Sequence, residues 1–513
     1  MRIPGATTRS WAALRSLAER RTQPAVCDLV EQTTRPEFRV SDCGLTLDFS
    51  RQQLGEGALD ALLDLAGEVD LGAQIRAMFA GDPVNLTESR AALHVALRQT
   101  AGNGVGGADV ERDVLVERER MLRFAEMVRS LGQFTDVINL GIGGSDLGPR
   151  FVCGAFDSVF EGPVRVHFVS GTDGLRLNRL LQRCNPVTTL FVICSKSFRT
   201  TETLENARAA RRWVESSLGI EAVGQHFAAV STDASQMSAF GVPTHAQFKL
   251  WDWVGGRFSV WSSVGLSIAI RFGSDFFLEF LSGAADMDRH FRNAPFKENM
   301  PILSALASIW NINFLKIPGA AIVPYSESLR LLPSLLQQLE MESCGKLALV
   351  TGSRSSCDTA PILWGGLGAD AQHSFFQALH QGWLRSSIEF ILIRDPVGEA
   401  KAHRTTNLQA LAQIEALHIG QKSEVIAKNY DGCRPLSVLV MDRLAPNTIG
   451  AFIALWEHKV FCEAAIWGVN AFDQFGVELG KSIFDRIATL DKDGHTVQWA
   501  SAGPLAKLLL GRR

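Results

Sequence analysis

The chain has 513 residues, which is long enough for roughly two to four domains. Hydrophobic residues make up 46% of the chain and charged residues 20%, a balance that supports large buried cores and argues against bulk disorder. The 51 basic and 54 acidic residues leave a net charge of -3, which excludes the broad basic surface of a nucleic-acid-binding protein and gives no strong attraction to a membrane.

Nine cysteines are scattered along the chain without a C-x-x-C pair. An odd, dispersed set argues against a disulfide framework or a structural zinc site and favours a reducing cytoplasm. The N-terminus lacks the apolar core of a signal peptide. Its arginines faintly suggest a transit peptide, but Trp11, Leu14 and Leu17 fit an ordinary amphipathic helix, which we favour.

Residues 1–130 are predicted to be mostly helical. Apolar side chains recur at three- and four-residue intervals from Leu59 to Leu71 and from Ala91 to Leu97, as they do on one face of a helix. Polar connections that contain glycine, such as residues 102–107, separate these segments.

From about Phe134 onward, short apolar runs alternate with glycine- or serine-rich turns and helical stretches. The runs are DVINLGIGG (136–144), VRVHFVSG (164–171), TTLFVICSKS (188–197) and HFAAVSTD (226–233). After about Pro301 the pattern returns in AAIVPYS (320–326), LALVTGS (347–353), EFILIRD (389–395) and LSVLVMD (436–442). Continuous apolar strands separated by helices predict parallel sheets covered on both faces, so we expect an α/β fold with two copies of one layer architecture.

A glycine-rich turn follows the first predicted strand and is the first candidate site. Gly141, Gly143 and Gly144 precede Ser145, and the backbone N–H groups of such a turn can approach an oxyanion or a sugar hydroxyl. Asp146 stands where a dinucleotide-binding fingerprint would have its third glycine, so the match to an NAD site fails there. A tight turn without a ligand is the alternative.

A cluster of hydroxyl side chains and one lysine lies between the run TTLFVIC and a predicted helix. Its members are Ser195, Lys196, Ser197, Thr200, Thr201 and Thr203. Together with a helix N-terminus they make a small anion site that suits a phosphate. The glycines of a Walker motif are absent, which disfavours a nucleotide triphosphate. Helix capping alone explains one or two of these hydroxyls, but not the whole cluster.

The segment QQLEMESCGK (337–346) carries the candidate proton-transfer group. In helical spacing, Gln338 and Glu342 share a face with Leu335 and Leu339. On that apolar stripe a carboxylate loses hydration, which raises its pKa toward the range useful for moving protons. A buried glutamate paired with an arginine is the alternative interpretation.

Two further candidates have cationic side chains. Arg257 follows a Gly-Gly pair, from which it can reach a developing negative charge or pair with Glu342 or Asp252. If Asp370 caps a helix, His373 falls in the first turn of that helix, where the dipole disfavours the imidazolium. A satisfied core histidine is the commoner case for a residue of this type.

Two features close the chain. The longest apolar stretch, from Thr448 to Phe472, is interrupted by charged residues, which predicts a buried helix and not a membrane span. Further on, the spacing of Val477 and Phe484 predicts that Lys481 lies on the face of a helix that packs on the core, from which lysines usually snorkel to the surface.

Seven stretches taken together resemble the glucose-6-phosphate isomerase (phosphoglucose isomerase) family. They are NLTESRAALHVALR (85–98), NLGIGGSDLGP (139–149), SKSFRTTET (195–203), WDWVGGRFSVWSSVGLS (251–267), QQLEMESCGK (337–346), GADAQHSFFQALHQG (368–382) and FDQFGVELGK (472–481), and they appear in the family's order. The resemblance implies two sugar-isomerase (SIS-type) doubly wound parallel-sheet domains. They would follow a helical N-terminal region at 1–130 and occupy residues 131–290 and 291–490, with C-terminal helices and a tail at 491–513.

The resemblance also implies a reaction, namely the interconversion of glucose 6-phosphate and fructose 6-phosphate in glycolysis and gluconeogenesis, through ring opening and a cis-enediol. Glu342 resembles the general base and Arg257 the group that stabilises the enediolate, while His373 with Lys481 resembles the pair that opens the ring. The positions that resemble sugar and phosphate contacts are Gly144, Ser145, Ser195, Lys196, Ser197, Thr200, Thr203, Gln338 and Gln474.

The same resemblance implies how the enzyme is assembled and what it binds. The expected state is a homodimer with active sites near the subunit interface, in which His373 arrives from the other subunit. We expect a cytoplasmic enzyme that binds a sugar phosphate and needs no metal or other cofactor, with no nucleic-acid or membrane partner.

Some positions depart from the family pattern. Cys344 stands where the family commonly has asparagine, and Leu339-Glu340 replaces a common Gly-Asp pair. None of the departures removes a residue with a proposed chemical role.

Two other functions compete with the isomerase. A catalytically silent sugar-phosphate-binding protein on the same fold would bind the ligand without turnover, but the retained Glu342 and His373 speak against it. A nicotinamide-dependent oxidoreductase would use Asp173 as its ribose partner, and Asp146 in place of the third glycine counts against that reading.

Overall fold

A computed structural model describes residues 3–20, 38–55, 57–99, 102, 104–383, 385–492 and 508–509. The chain forms two compact units, Met1–Ala471 and Phe472–Arg513. The first unit contains two β-sheets and the helices that cover them. None of the described helices has both the length and the apolar character that crossing a membrane requires.

The strands are β1 Arg39–Asp42, β2 Leu45–Asp48, β3 Asp136–Leu140, β4 Arg165–Val169, β5 Thr189–Cys194, β6 Phe227–Ser231, β7 Gln247–Lys249, β8 Gly319–Pro324, β9 Ile362–Gly365, β10 Ser386–Ile393 and β11 Leu436–Met441. The α-helices of the first unit are α1 Arg9–Glu19, α2 Ala58–Glu68, α3 Leu71–Ala80, α4 Ala108–Ser130, α5 Leu147–Phe156, α6 Leu175–Leu181, α7 Thr201–Leu218, α8 Val223–His226, α9 Ala234–Phe240, α10 Leu266–Phe272, α11 Ser274–Asn293, α12 Met300–Ile309, α13 Leu332–Gln337, α14 Gly368–Gln372, α15 Phe376–Gln381, α16 Ala400–Ile419 and α17 Pro446–Trp467. The second unit contains α18 Glu478–Lys492. Two segments are π turns, Trp310–Phe314 and Gln338–Glu342.

The first sheet has five parallel strands in the order β4-β3-β5-β6-β7. The apolar runs predicted as strands are confirmed as β3 to β6, and every residue of β3 and β5 is buried. The chain leaves β3 for β4 on one side and then returns to β5 on the other, so the strand order reverses between β3 and β5. Ligands of open α/β sheets bind outside the carboxyl ends of the strands at such a reversal.

The second sheet has the order β1-β2-β11-β10-β8-β9, in which β11, β10, β8 and β9 are parallel. Three of its predicted strands are confirmed as β8, β10 and β11. The prediction of a strand at residues 347–353 is wrong: Ala348 forms only an isolated bridge with Arg354, and Leu347 is 64% exposed. The fourth parallel strand is β9, and the hairpin β1–β2 adds an antiparallel edge that the mostly helical interpretation of the N-terminal region missed.

Helix α17 is buried from Thr448 to Trp467, which confirms the predicted buried helix. It packs closely against α11 because each of the two helices has a glycine that faces the other helix. A Cβ on Gly283 would lie 1.8 Å from the carbonyl oxygen of Asn447, and a Cβ on Gly450 would lie 2.0 Å from that of Phe280. The charged residues of α17 therefore lie in the protein interior and must find partners there.

The described cysteines are free except for Cys433, which is disulfide-bonded. Spacing along the chain does not report this, because a disulfide requires only that two Cβ atoms lie about 3.5–4.5 Å apart in the fold. The scattered cysteine pattern is therefore a poor guide to the redox compartment of this protein.

Candidate active site

Three turns meet outside the carboxyl end of β3. They are the glycine turn at Gly143–Ser145, the turn at Gly256–Phe258 and the π turn. A Cβ on Gly144 would lie 2.0 Å from the carbonyl oxygen of Gly256, so only glycine allows this approach. A Cβ on Gly143 would lie 3.0 Å from Nε2 of Gln338. Motifs that are far apart in sequence thus form one site.

Arg257 lies at the centre of this site, with a side chain that is 1% exposed. Its Nε donates a hydrogen bond of 2.6 Å to Oγ of Ser343, and its Nη2 donates to the carbonyl oxygen of Ala471. Its Nη1 lies 3.6 Å from Oε2 of Glu342. Of the two carboxylates considered for Arg257, the structure therefore pairs it with Glu342 and not with Asp252.

The environment of Glu342 differs from the predicted one. We expected its carboxylate on an apolar stripe, but the side chain is 24% exposed. The π turn accounts for the difference, since its i→i+5 hydrogen bonds shift every following residue around the helix. Glu340 takes the buried position instead, with a relative exposure of 1%. The geometry therefore offers a carboxylate that both solvent and a ligand can reach, beside a buried cation.

The hydroxyl cluster lies at the carboxyl end of β5, next to the glycine turn. Helix α7 begins at Thr201, which confirms the predicted helix, and Thr200 is at its N-cap position without a capping hydrogen bond from its side chain. The hydroxyl of Ser195 donates to that of Thr200 at 3.1 Å. Oγ1 of Thr203 is buried without a hydrogen-bond partner among the described residues. The first-turn N–H groups of α7 have no partner within the helix, so this end of α7 is suited to an anion.

Lys196 connects this cluster to the turn that carries Arg257. Its Nζ donates to the carbonyl oxygens of Asp252 at 2.8 Å and Val254 at 2.9 Å. Burial lowers the pKa of the Lys196 ammonium to about 8, and repulsion from Arg90 acts in the same direction. The hydroxyl cluster and Glu342 therefore belong to one connected arrangement, through Lys196 and Arg257.

Sequence reasoning missed Arg90 as a neighbour of this arrangement. Arg90 pairs with Glu88 at 2.6 Å, and both charges act on the ammonium of Lys196. The only signal was their position in the block NLTESRAALHVALR, which by itself gives no indication of a spatial neighbour.

The structure does not bring His373 to Glu342 within the chain. The assumed position of His373 in the first turn of a helix is wrong, because α14 spans Gly368–Gln372 and His373 follows its last residue. The N-terminal dipole argument therefore does not apply. His373 is exposed beyond the end of β9, and its ring makes no hydrogen bond among the described residues.

The second unit contains Gln474 and Lys481. Gln474 is half-buried, directly before a short turn at Phe475–Val477. The side chain of Lys481 is 67% exposed, and its Nζ lies 3.6 Å from Oε1 of Glu478 on the same helix. The prediction that Lys481 lies on a core-packing face stays a prediction. Phe484 is 50% exposed, so the apolar face of α18 is only partly covered.

The arrangement argues against a dinucleotide site. The side chain of Asp146 is buried beside the glycine turn and is held by Arg150 at 2.7 Å. Asp173, the candidate ribose partner, accepts from the backbone N–H of Leu175 at 3.2 Å and caps its own turn. Neither carboxylate is placed as the dinucleotide fingerprint requires.

Comparison with known proteins agrees with this geometry. The family model described as phosphoglucose isomerase matches residues 48–503. The glucose-6-phosphate isomerase of Methylocella silvestris is 41% identical over 517 residues, covering 94% of both proteins, and that of Chromohalobacter salexigens is 43% identical, covering 93% of this chain and 90% of the relative. A crystal structure of a glucose-6-phosphate isomerase from Chlamydia trachomatis matches with a TM-score of 0.89 and 30% identity over 99% of both chains. The resemblance in the seven sequence blocks is thus confirmed, and the chain belongs to the phosphoglucose isomerase family.

Proposed function

We propose that this chain is an intramolecular aldose–ketose isomerase that interconverts glucose 6-phosphate and fructose 6-phosphate. The observation that carries the proposal is the 3.6 Å approach of the buried Arg257 guanidinium to the partly exposed Glu342 carboxylate. A proton-transfer group thereby lies beside a fixed positive charge, and the anion-binding end of α7 is linked to both. The names of the similar proteins support the same substrate pair.

The first role of the site is to hold the substrate. In our proposal Lys196 and the hydroxyls of Ser195, Ser197, Thr200 and Thr203 bind the phosphate together with the first-turn N–H groups of α7. Gly144, Ser145, Gln338 and Gln474 bind the sugar. A substrate fixed at its phosphate presents its C1–C2 bond to one group only, and such positioning alone can supply roughly 7–11 kcal/mol of a barrier in favourable cases.

The second role is proton transfer. Glu342 removes the proton from C2 of the open-chain aldose while the C1 carbonyl oxygen gains a proton, which gives the cis-enediol. Glu342 then returns its proton to C1 while the C2 hydroxyl loses its proton and becomes the carbonyl of the ketose, so the net change is the transfer of one proton from C2 to C1 and one from the C2 oxygen to the C1 oxygen. A well-placed general base contributes roughly 10²–10⁴ in rate. Arg257 stabilises the negative charge that develops on the enediolate, and because it is already fixed by Ser343 and Ala471 it need not reorganise during the reaction.

The third role is ring opening, which we assign to His373 and Lys481. Both side chains are exposed, and His373 makes no described contact with Glu342. We therefore propose a homodimer in which His373 of one subunit completes the site of the other. The partly covered apolar face of α18, with Leu479 69% exposed, supports such an assembly. A single species near 56.0 kDa in light scattering would contradict it.

The remaining features of the proposal concern organisation and location. We propose residues 131–290 and 291–490 as the two SIS-type domains, because each range contains one complete set of parallel strands. We also propose that the enzyme works in the cytoplasm on its sugar phosphate alone, since a charged phosphate ester is costly to move through a bilayer.

The test is turnover of fructose 6-phosphate to glucose 6-phosphate by the purified full chain in the presence of a chelator. Glu342→Gln keeps the shape of the side chain but removes the base, so we expect turnover to fall by roughly 10²–10⁴ with binding largely retained. Glu327→Gln is the control, because that exposed carboxylate pairs with Arg330 on the surface.

Two results decide against the proposal. Unchanged turnover of Glu342→Gln removes this residue from the mechanism. Binding of fructose 6-phosphate by calorimetry without any turnover by the wild-type chain favours the non-catalytic sugar-phosphate-binding protein instead.

A further inference from the structure

A buried ion cluster lies on the inner side of the π turn. Nζ of Lys459, on α17, lies 2.8 Å from Oε2 of Glu340 in the π turn and 2.8 Å from Oε1 of Glu463, one helical turn further along α17. The three side chains are 4%, 1% and 0% exposed, respectively. Charges this deeply buried depend on each other, because removal of one partner leaves an uncompensated charge in the interior.

A third carboxylate, that of Glu389 on β10, acts on the same group. Burial raises the pKa of Glu389 to about 7 and raises that of Glu463 as well. Burial opposes the charge on Lys459, but Glu340 and Glu463 raise its pKa above the ordinary value. The neighbouring thiols of Cys344 and Cys462 have raised pKa values through burial and add no charge. Lys459 therefore keeps its positive charge near neutral pH, with the carboxyl group of Glu340 beside it.

A small cavity of about 40 Å³ adjoins the cluster, lined among others by Glu340, Glu389, Asn311, Trp456 and Lys459. Oε1 of Glu340, Oε1 of Glu389, Oδ1 of Asn311 and Nε1 of Trp456 are buried without hydrogen-bond partners among the described residues. At roughly 10–15 Å³ per water, a cavity of about 40 Å³ has room for about three or four water molecules, and its mixture of donors and acceptors suits them. The ion cluster therefore adjoins a polar cavity large enough for water.

The π turn joins this ion cluster to the catalytic centre. Glu340 and Glu342 are two residues apart on the same turn, and Glu340 is buried against Lys459 while Glu342 faces Arg257. Any rotation of the turn that releases Glu340 also moves Glu342. A misplacement of about 1 Å in a reacting group can cost on the order of 100-fold in rate.

We propose that Lys459 is a positioning residue, which by binding Glu340 and Glu463 fixes the π turn in the conformation that presents Glu342 to the substrate. The inference rests on the proposed role of Glu342 as the base. It assigns a function to Lys459 and Glu463, two buried charged residues of α17.

The test is Lys459→Met, which keeps the length of the side chain and removes its charge. We expect kcat for fructose 6-phosphate to fall about 10- to 100-fold while KM changes less than about threefold, because the base is displaced and the phosphate loop is not. Adding Glu340→Gln to Lys459→Met should restore part of kcat, because it removes the buried carboxyl group that lost its partner.

The control is Glu457→Gln, on the same helix but in a different buried group, where Glu457 pairs with Arg98. We expect it to lower thermal stability and leave kcat within about threefold, since its partners lie outside the π turn. An equal loss of kcat in both variants, or full kcat in folded Lys459→Met, overturns the proposal.

Two further outcomes are also decisive. If Lys459→Met does not fold, Glu340→Gln replaces it: a lower kcat at unchanged KM supports positioning, and unchanged kcat overturns it. If the wild-type chain has no isomerase activity, the proposed function fails and the positioning role fails with it. An active wild type with an insensitive Lys459 refutes the positioning role alone.

Discussion

Arg257→Lys tests whether the geometry of this side chain matters beyond its charge. Lysine keeps the positive charge but replaces the planar fork by a single nitrogen. In the structure three different nitrogens of Arg257 face Ser343, Ala471 and Glu342. One ammonium cannot reach all three positions, so at least one of the two hydrogen bonds that fix the guanidinium is lost.

The size of the effect follows from those contacts. A hydrogen bond to a charged group contributes about 1.5–3 kcal/mol. If one such bond supports the cation that stabilises the enediolate, kcat/KM for fructose 6-phosphate should fall about 10- to 150-fold. The assay is steady-state kinetics with purified protein at a pH near 7, together with a thermal unfolding curve for each variant.

Arg330→Lys provides the matched control. Arg330 is exposed and pairs with Glu327 at 2.6 Å and Asp370 at 2.9 Å, and surface pairs of this kind contribute about 0–1 kcal/mol. We expect it to retain wild-type kinetics. If Arg257→Lys also retains kcat/KM within about threefold while remaining folded, fixed placement of the guanidinium is not needed and the reasoning is refuted.

Two further predictions concern the glycine turn and the lysine of the phosphate loop. Gly144→Ala places a Cβ 2.0 Å from the carbonyl oxygen of Gly256, so we expect turnover to fall by about 10-fold or more. The control Gly67→Ala adds a Cβ in open space on α2 and should keep full turnover. Equal activity in the two variants contradicts the close approach. Because the pKa of Lys196 is lowered to about 8, the lysine loses its charge above that pH. KM for the sugar phosphate should then rise by up to about tenfold per pH unit in the wild type, but not in Lys196→Met. The folded pKa of Lys196 lies below the ordinary lysine value of 10.5, so the unfolded chain binds more protons between pH 8 and 10.5. The lysine should therefore make the free energy of unfolding increase with pH across that window, and a denaturant titration that shows the opposite trend refutes the assignment.

The sheets were largely predictable from sequence because their strands are buried on both faces. Apart from Asp136, Asn139 and Thr189, the residues of β3 and β5 are apolar, and turns bound both strands. This pattern has few other structural solutions. The run at 347–353 shows the limit of the argument. It has the same composition, but no layer covers Leu347, and the less regular segment Ile362–Gly365 pairs with β8 in its place. Burial depends on the neighbours in the fold, which local composition does not reveal.

The candidate site was predictable as a set of motifs but not in its orientation. Spacing rules for an ordinary helix assign Glu342 to the buried side, and a single π turn exchanges it with Glu340. Similarly, a possible capping aspartate suggested that His373 begins a helix, whereas it follows one. Small shifts of this kind result from tertiary contacts, such as the buried pairing of Glu340 with Lys459. The spacing of apolar residues in the sequence does not predict them.

The glycine contact between α11 and α17 has a consequence for residues far from any ligand. Asp288 on α11 lies 2.7 Å from His458 on α17, and the next residue of α17 is Lys459. A methyl group at Gly450 would lie 2.0 Å from a carbonyl oxygen of α11. It would force the two helices apart by more than about 1 Å, since carbon atoms in contact lie about 3.5–4.0 Å apart. Such an uncharged change would stretch the contact between Asp288 and His458. The absence of a side chain at Gly450 therefore sets the distance between α11 and α17, and with it the placement of the buried polar residues that these two helices carry.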